Sequence, residues 1–209
     1  MATRAIEREH ASARAAAKFE SRRADLARDA MAVLAQHGYA NTSLRDIAQG
    51  STYSHGVLHY YFADKSDLIA ASVREYKARC VRRFDDLVVA SVSPEEFVAE
   101  FLELLTDSLL TDGPMHRVWY DLRAQSLYDE TLRPEAMRID AALEDMVWRV
   151  VSRFAELRGT APTCSPAMAY ALVDGLFQRA LLGSLTSDRL AVSQLRHEAE
   201  VALRMATGG

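Results

Sequence analysis

Apolar residues recur every three or four positions along most of the chain, the spacing of one face of an α-helix. The first clear run begins at Phe19 and ends at Gly38, a residue type that commonly closes a helix. No segment alternates apolar and polar residues with a period of two, and no internal repeat is present. The pattern therefore predicts an all-α fold.

Capping and breaking residues divide this pattern into about nine helices. Side chains such as those of Asn41-Thr42-Ser43 and Ser54 accept hydrogen bonds from the first free N–H groups of a helix, and Pro94 and Pro134 suit a first helical turn. The predicted helices cover residues 19–37, 44–50, 55–60, 64–88, 94–112, 115–128, 134–158, 165–185 and, from about Asp188, 188–205, with Asp112-Gly113-Pro114 ending the fifth.

The pattern also divides the chain into three parts. Residues 1–18 are rich in Ala and Arg with little apolar periodicity, which is typical of either a mobile arm or a frayed helical extension. Residues 19–66 form a small bundle, called the head below, and residues 67–209 form a larger helical body. The long fourth helix can belong to the head at one end and to the body at the other.

Charge is unevenly distributed between these parts. The net charge of the 209 residues is -4, which alone argues against nucleic-acid binding. Residues 1–83 nevertheless hold 14 Lys and Arg against 9 Asp and Glu, whereas the remaining 126 hold 11 against 20. The basic end is where a phosphate backbone would bind, although an excess of this size also occurs on an ordinary solvated face.

Several functional classes find no support in the sequence. No window approaches 18 uninterrupted apolar residues and the N-terminus is charged, so we expect a cytoplasmic protein without membrane contact. Cys80 and Cys164 have no metal-ligand spacing and favour buried thiols, so we expect neither a metal nor another cofactor. Catalytic motifs such as a nucleophile elbow, a Gly-rich phosphate loop or HExxH are absent, which disfavours a helical enzyme.

The segment from residue 42 to residue 65 has the properties of a helix-turn-helix. Its second short helix combines apolar residues that can pack with small or polar residues, Ser54, His55 and Gly56, at the end that would enter the major groove. We expect His55 and Tyr60 to read bases. Thr42, Ser43 and Lys65 stand at helix starts, where side chains and free N–H groups meet phosphates.

Two further positions in this segment keep alternatives open. One of Tyr60 and Tyr61 is expected to face DNA while the other braces the bundle. Arg45 is either an exposed charge on the second helix or a contact to a base or phosphate.

This segment resembles the TetR family of repressors. The resemblance rests on Gly38-Tyr39, on residues 42–48 and 54–62, and on Lys65-Ser66-Asp67-Leu68, and it spans about fifty residues. Residues 173–177 (VDGLF) are similar to the choline-responsive, BetI-like branch. The resemblance implies a homodimer built on the last two helices, an effector pocket in the body and a palindromic operator.

Two residues depart from the family pattern. Thr52 occupies the turn position where the family usually has glycine, so that the turn either takes another shape or is strained by about 1 to 3 kcal/mol. His59 stands where the family has a phosphate-contacting tyrosine. Because imidazole can still donate to a phosphate, His59 stays in the predicted DNA-binding set.

The body contains many large side chains interleaved with polar ones. Aromatic and Met residues at helical spacing form either core or pocket, and the polar residues among them either pair with each other, as Asp174 could with Arg123 or Arg179, or hold a polar ligand. The candidate effector-binding residues are Phe101, Met115, Trp119, Tyr120, Arg123, Tyr128, Met146, Trp148, Asp174, Phe177 and Gln178.

The last two predicted helices present more apolar surface than a monomer should leave in contact with water, which favours a two-fold four-helix interface. We therefore predict a repressor that a small molecule releases from operator DNA. The alternatives are a helical DNA-binding or protein-binding module without an effector and a helical enzyme.

Overall fold

The computed structural model describes residues 2–39, 42–186 and 190–208, with the side chains of residues 2–9 and 11 outside that description. The described residues form eight helices and no strand, so the predicted all-α class is confirmed. The helices are α1 (Ala2–His37), α2 (Leu44–Gln49), α3 (His55–Tyr61), α4 (Lys65–Ala90), α5 (Pro94–Gln125), α6 (Arg133–Leu157), α7 (Pro166–Leu185) and α8 (Ala191–Met205). None of these helices is long and apolar enough to cross a membrane.

Local capping explains where most helices begin. The side chains of Ser43, Ser54, Asp64, Ser93 and Ser165 each accept a hydrogen bond from a backbone N–H three residues further on, as expected of N-cap residues. At Ser43 the bond is reciprocal, because Asp46 accepts from the Ser43 backbone N–H. The predicted caps at Asn41 and the predicted start at Asp188 lie outside the described residues.

The prediction of nine helices was wrong at one place. Helix α5 continues through Pro114, where the sequence predicted a break. Proline removes the backbone hydrogen bond to the residue four positions earlier, and here that residue is Leu110, which is 65% exposed, so water can supply the missing donor. Leu109 and Val118, buried on either side of the proline, hold the two halves of the helix on one axis.

The N-terminal residues continue the first helix. Residues 2–18, for which the sequence left a mobile arm or a helical extension open, lie within α1. From Leu26 onward α1 is buried along one face and packs against α4.

The core is continuous from the head into the body. Leu34, Ile47, Leu58 and Phe62 close the head with almost no exposed surface. Helix α4 joins this core at its first turns and continues between α5 and α6, which pack with α7 and α8. Helix α4 therefore runs through both parts of the molecule.

Candidate nucleic-acid interface and ligand cavity

The connection between α2 and α3 is held by side-chain hydrogen bonds. Ser51 Oγ lies 3.4 Å from the Ala48 carbonyl oxygen and accepts from the Tyr53 backbone N–H at 3.3 Å. The Tyr53 hydroxyl donates to Asp29 on α1 at 2.8 Å, which ties the turn to the first helix. Thr52, at the tip, is exposed.

Close packing requires a glycine at position 50, two residues before Thr52. A Cβ atom built on Gly50 would lie 2.8 Å from a methyl group of Val33, closer than a side chain tolerates. Gly50 has a right-handed backbone (φ -86°), so its role is close packing of α2 against α1.

The leading end of α3 is presented to solvent. His55, Gly56 and His59 are exposed, and the two imidazole ring centroids lie 4.4 Å apart. Tyr60 is 71% exposed, whereas Tyr61 is half-buried and stacks on Phe19 with ring centroids 4.7 Å apart. Of the two tyrosines, Tyr60 is therefore the one available to a ligand.

The residues predicted to meet phosphates differ in availability. Ser43, Arg45 and Ser54 are exposed, and Lys65 is half-buried with its Nζ 4.8 Å from the ring centroid of Tyr39. Thr42 is only 2% exposed, and its hydroxyl donates to the Gly38 carbonyl at 2.6 Å. The Thr42 hydroxyl is thus used within the protein rather than presented at the surface.

The body contains a largely apolar cavity of about 300 Å³ between α4, α5, α6, α7 and α8, with exposed residues such as Met168 and Met205 at its rim. Five of the candidate effector-binding residues line it, namely Phe101, Tyr120, Met146, Asp174 and Phe177. The other six do not contribute to its wall, namely Met115, Trp119, Arg123, Tyr128, Trp148 and Gln178.

Packing explains why those six lie outside the cavity. Trp119 is fully buried in the core, Tyr128 is 88% exposed and Gln178 is exposed. Met115 and Trp148 are half-buried and pack against the outside of the core. The helical spacing and the composition of the sequence do not distinguish the core, the surface and the cavity wall. An amphipathic helix places large side chains along its buried face and at both edges of that face.

A polar network closes one side of the cavity. Asp174 accepts from the Tyr120 hydroxyl at 2.9 Å and from the Arg123 guanidinium at 2.6 Å, so the pairing with Arg123 is the one that forms. Arg123 also lies 3.4 Å from Asp140, which accepts from the Tyr170 hydroxyl. Burial raises the pKa of both tyrosines above the ordinary value, with the neighbouring carboxylates adding to the effect.

A second buried polar group was not predicted from the sequence. Lys77 on α4 is 6% exposed and its Nζ lies 2.9 Å from His116 Nδ1, while His116 Nε2 lies 3.2 Å from Ser108 Oγ. All three residues line the cavity. The signal was present, because Lys77 falls on the same helical stripe as Val73, four residues earlier, and is thus a charge at a core position.

Burial changes the ionisation of this second group. It lowers the pKa of Lys77 to about 8, and it holds the pKa of His116 well below the usual value, helped by the Lys77 charge. At pH 7 the lysine is therefore charged and the histidine neutral. Lys77 then donates to His116 Nδ1, which leaves the proton on Nε2 to be donated to Ser108.

The cavity wall and the head are joined through adjacent residues of α5. Tyr120 faces the cavity, and the next residue, Asp121, accepts from the Tyr39 backbone N–H at 3.0 Å. The Tyr39 hydroxyl lies 3.1 Å from Ser66 Oγ at the start of α4. Tyr39 therefore contacts both α4 and α5.

Metal chemistry has no counterpart in this arrangement. Within the described ranges, no group of three or more His, Cys, Asp or Glu side chains is placed to hold a metal ion. Cys80 is a buried free thiol and Cys164 a half-buried one.

Comparison with known families accounts for both halves of the chain. Residues 26–72 match the family described as bacterial regulatory proteins of the tetR family, and residues 94–205 match the C-terminal domain of the BetI-type transcriptional repressors. The chain therefore belongs to the TetR family of transcription regulators, and its body is of the BetI type. The predicted resemblance and the predicted class of DNA-binding regulator are confirmed, and the family is not one of enzymes.

One curated relative is similar in sequence, and solved structures are similar in fold. The transcriptional regulator BetI of Burkholderia ambifaria is 26% identical over 186 residues, covering 86% of this chain and 92% of the relative. A regulator from Saccharomonospora viridis, solved in complex with choline, has a TM-score of 0.71 at 17% identity over 90% of this chain and 98% of the other. The regulator FadR of Bacillus subtilis, in complex with stearoyl-CoA, has a TM-score of 0.67 at 16% identity over 88% and 97%.

Proposed function

We propose that this chain is a homodimeric repressor whose two heads bind a palindromic operator and whose body cavity holds the small molecule that releases it. The observation that carries the proposal is the course of α4. Its first residue, Lys65, lies at the edge of the head, and Lys77, Cys80 and Phe84 on the same helix line the cavity. A ligand that alters the packing of α4 would therefore change the placement of the head.

The exposed end of α3 supports the DNA-binding part of the proposal. His55 and Tyr60 are the base-reading candidates, and Gly56 lets the backbone approach the groove closely. Ser43, Arg45, Ser54, His59 and Lys65 are the candidates for phosphate contacts around it. Thr42, with its buried hydroxyl, would contribute through its backbone alone.

Apolar surface on the last two helices supports the homodimer. Leu182 and Leu185 on α7 are 61% and 54% exposed, and Val201 and Met205 on α8 are 37% and 64% exposed. Exposed apolar residues on two adjacent helices are best buried against a second copy of the chain, which yields a four-helix interface. A dimer would also set the two α3 helices about 34 to 36 Å apart, one turn of the duplex, or somewhat further.

The contacts of α5 supply a second route from cavity to head. Tyr120 lies on the cavity wall while Asp121 holds the backbone of Tyr39. A ligand can release DNA only if it binds the DNA-incompatible arrangement more tightly. Displacement of Tyr120 by a ligand would disturb the Asp121 contact and thereby the start of the helix-turn-helix.

The test is binding to labelled DNA from the region upstream of the gene, measured by fluorescence anisotropy at several salt concentrations. We expect affinity to fall steeply with salt, as phosphate contacts require. His55→Ala and Tyr60→Ala should each weaken binding at least about fivefold, because a base contact contributes roughly 1 to 3 kcal/mol.

Tyr128→Ala is the matched control, because Tyr128 is an equally exposed tyrosine on the body. This variant should bind DNA within twofold of the wild type, and light scattering should give the mass of a dimer for every variant. Unchanged DNA affinity in both His55→Ala and Tyr60→Ala would disprove the assignment of α3 as the reader.

A further inference from the structure

We propose that the effector of this chain is an amphipathic anion, with its carboxylate on Lys77 and Ser108 and its hydrocarbon chain along the apolar wall. The inference rests on the proposed function, since it names the ligand class of the same cavity.

The first step is the unfilled hydrogen-bonding capacity of Lys77. An ammonium group has three N–H donors, and in the described part of the chain His116 Nδ1 is its one hydrogen-bond partner. The side chain is 94% buried at the cavity wall, where the rings of Trp119 and Tyr76, with centroids 5.6 and 5.8 Å from Nζ, stabilise the charge without accepting a hydrogen bond in the manner of a carboxylate. A buried charge left in this state is costly until an acceptor of opposite charge binds it.

The acidic residues nearby are already engaged. Both carboxylate oxygens of Asp174 accept hydrogen bonds, one from Tyr120 and one from Arg123. Asp140 accepts from Tyr170 and lies within ion-pair distance of Arg123. Lys77 is thus the ionic group on the cavity wall without a direct ionic partner among the described residues.

Ser108 supplies a second donor beside the lysine. Its oxygen accepts from neutral His116, which leaves the hydroxyl proton free to be donated into the cavity. Lys77 and Ser108 both bind His116, so their donors lie on one patch of the wall. A charged donor and a hydroxyl donor on either side of the His116 ring suit the two oxygens of a carboxylate that spans them.

The rest of the cavity suits a hydrocarbon chain. Its apolar wall is formed largely by α6 and α7 and includes Leu143, Met146, Val147, Val150, Val173 and Phe177. A volume of about 300 Å³ holds roughly ten non-hydrogen atoms if each takes about 30 Å³, the share of a water molecule in the liquid. An eight-carbon carboxylate is of this size.

The charges at the cavity disfavour binding of a quaternary ammonium ligand. Such a cation would share the cavity with the Lys77 charge, and no free carboxylate among the described residues would compensate it. Choline, the ligand in the solved regulator from Saccharomonospora viridis, is therefore a poor fit for this cavity.

The experiment compares three ligands that share a tail and differ in head group, using titration calorimetry on the whole protein. Octanoate should bind at least tenfold more tightly than octan-1-ol, and octyltrimethylammonium should bind more weakly than either. The inference is overturned if the ammonium compound binds as tightly as octanoate, if octanoate and octan-1-ol bind equally, or if octanoate does not bind.

Variants then locate the head group. Lys77→Met should weaken octanoate binding at least tenfold and leave octan-1-ol within threefold, whereas Lys18→Met, at an exposed lysine of α1, should change neither. If Lys77→Met fails to fold by circular dichroism, Ser108→Ala should still weaken octanoate at least threefold with octan-1-ol unchanged. Equal octanoate affinity in wild type and the folded variant contradicts the assignment.

DNA release is measured separately, so that the two proposals fail in different ways. Octanoate that binds but leaves DNA bound would contradict effector-driven release while upholding the ligand class. Release by choline or octyltrimethylammonium, with no binding of octanoate, would uphold release and overturn the ligand class.

Discussion

The head and the body place their polar side chains in opposite environments. On α3, His55 and Tyr60 project into solvent from a core closed by Ile47 and Leu58, both without exposed surface. In the body, Lys77 is buried at the wall of the cavity, and its donors depend on partners there. Exposed polar groups stay hydrated until DNA replaces the water, whereas buried ones depend on what the fold or a ligand supplies. The head therefore has a closely packed apolar core and exposed polar side chains. The body contains a cavity, and some of its polar side chains line that cavity.

The largest expected effect is a loss of stability, and it tests whether the core of the head is more closely packed than the cavity wall of the body. Leu58→Ala should lower the free energy of unfolding by about 2 to 5 kcal/mol, since it creates a new cavity in a closed core. Leu143→Ala should cost clearly less, because Leu143 borders the cavity on one side and has fewer packed protein neighbours to lose there. Urea unfolding monitored by circular dichroism measures both.

Leu127→Ala serves as the control for this pair, because Leu127 is 73% exposed and its loss should change stability by less than about 0.5 kcal/mol. Equal losses for Leu58→Ala and Leu143→Ala would mean that the cavity wall is as closely packed as the head.

The two regions also differ in how much of their structure could be predicted from the sequence. Helix starts such as Ser43 and Ser54 follow from local chemistry, because a cap and the N–H that it binds lie three residues apart. The exposed N-terminal end of α3 could likewise be predicted from the residues of that short segment alone. The continuation of α5 through Pro114 depends on helices packed around it, so the local signal for a break was overruled.

The cavity was only partly predictable for the same reason. Trp119 and Tyr120 are adjacent large aromatic residues, yet one is fully buried in the core and the other lines the cavity. Which of the two faces the cavity depends on the side chains of α4 and α7 that pack around them. Lys77 was the exception, because a charge on an apolar stripe is visible in the sequence itself.

A second prediction uses pH to isolate the buried charge of the body. The pKa of Lys77 is lowered by burial to about 8, from an ordinary value near 10.5 in the unfolded chain. Between these two values the unfolded state binds more protons than the folded state, so this residue makes stability rise as pH increases from 8 to 10.5. Below pH 8 its full cost, about 3 kcal/mol, is present.

The measurement is the difference in unfolding free energy between wild type and Lys77→Met at several pH values. Taking the difference cancels the tyrosines and carboxylates that titrate in both proteins. Wild type should gain on the variant between pH 8 and pH 10.5, while Lys18→Met should follow wild type throughout. A difference that is constant with pH would show that the pKa of Lys77 is the same in the folded and unfolded states, so that burial does not lower it.

The smallest expected effect concerns the contact that links the two regions. Asp121→Ala removes the acceptor of the Tyr39 backbone N–H, next to Tyr120 on the cavity wall. If this contact transmits ligand binding, the variant should bind both DNA and effector within threefold of wild type. The factor by which the effector weakens DNA binding should nevertheless fall about fivefold or more, because coupling energies between sites are typically 1 to 3 kcal/mol.

Asp145→Ala is the control, since Asp145 is an exposed carboxylate of α6 far along the chain from this contact. Asp121→Asn sharpens the result, because its amide oxygen still accepts from Tyr39 and should restore most of the coupling. Full coupling in Asp121→Ala would leave α4 as the route between cavity and head. Loss of coupling together with loss of DNA binding would instead assign Asp121 to the folding of the head.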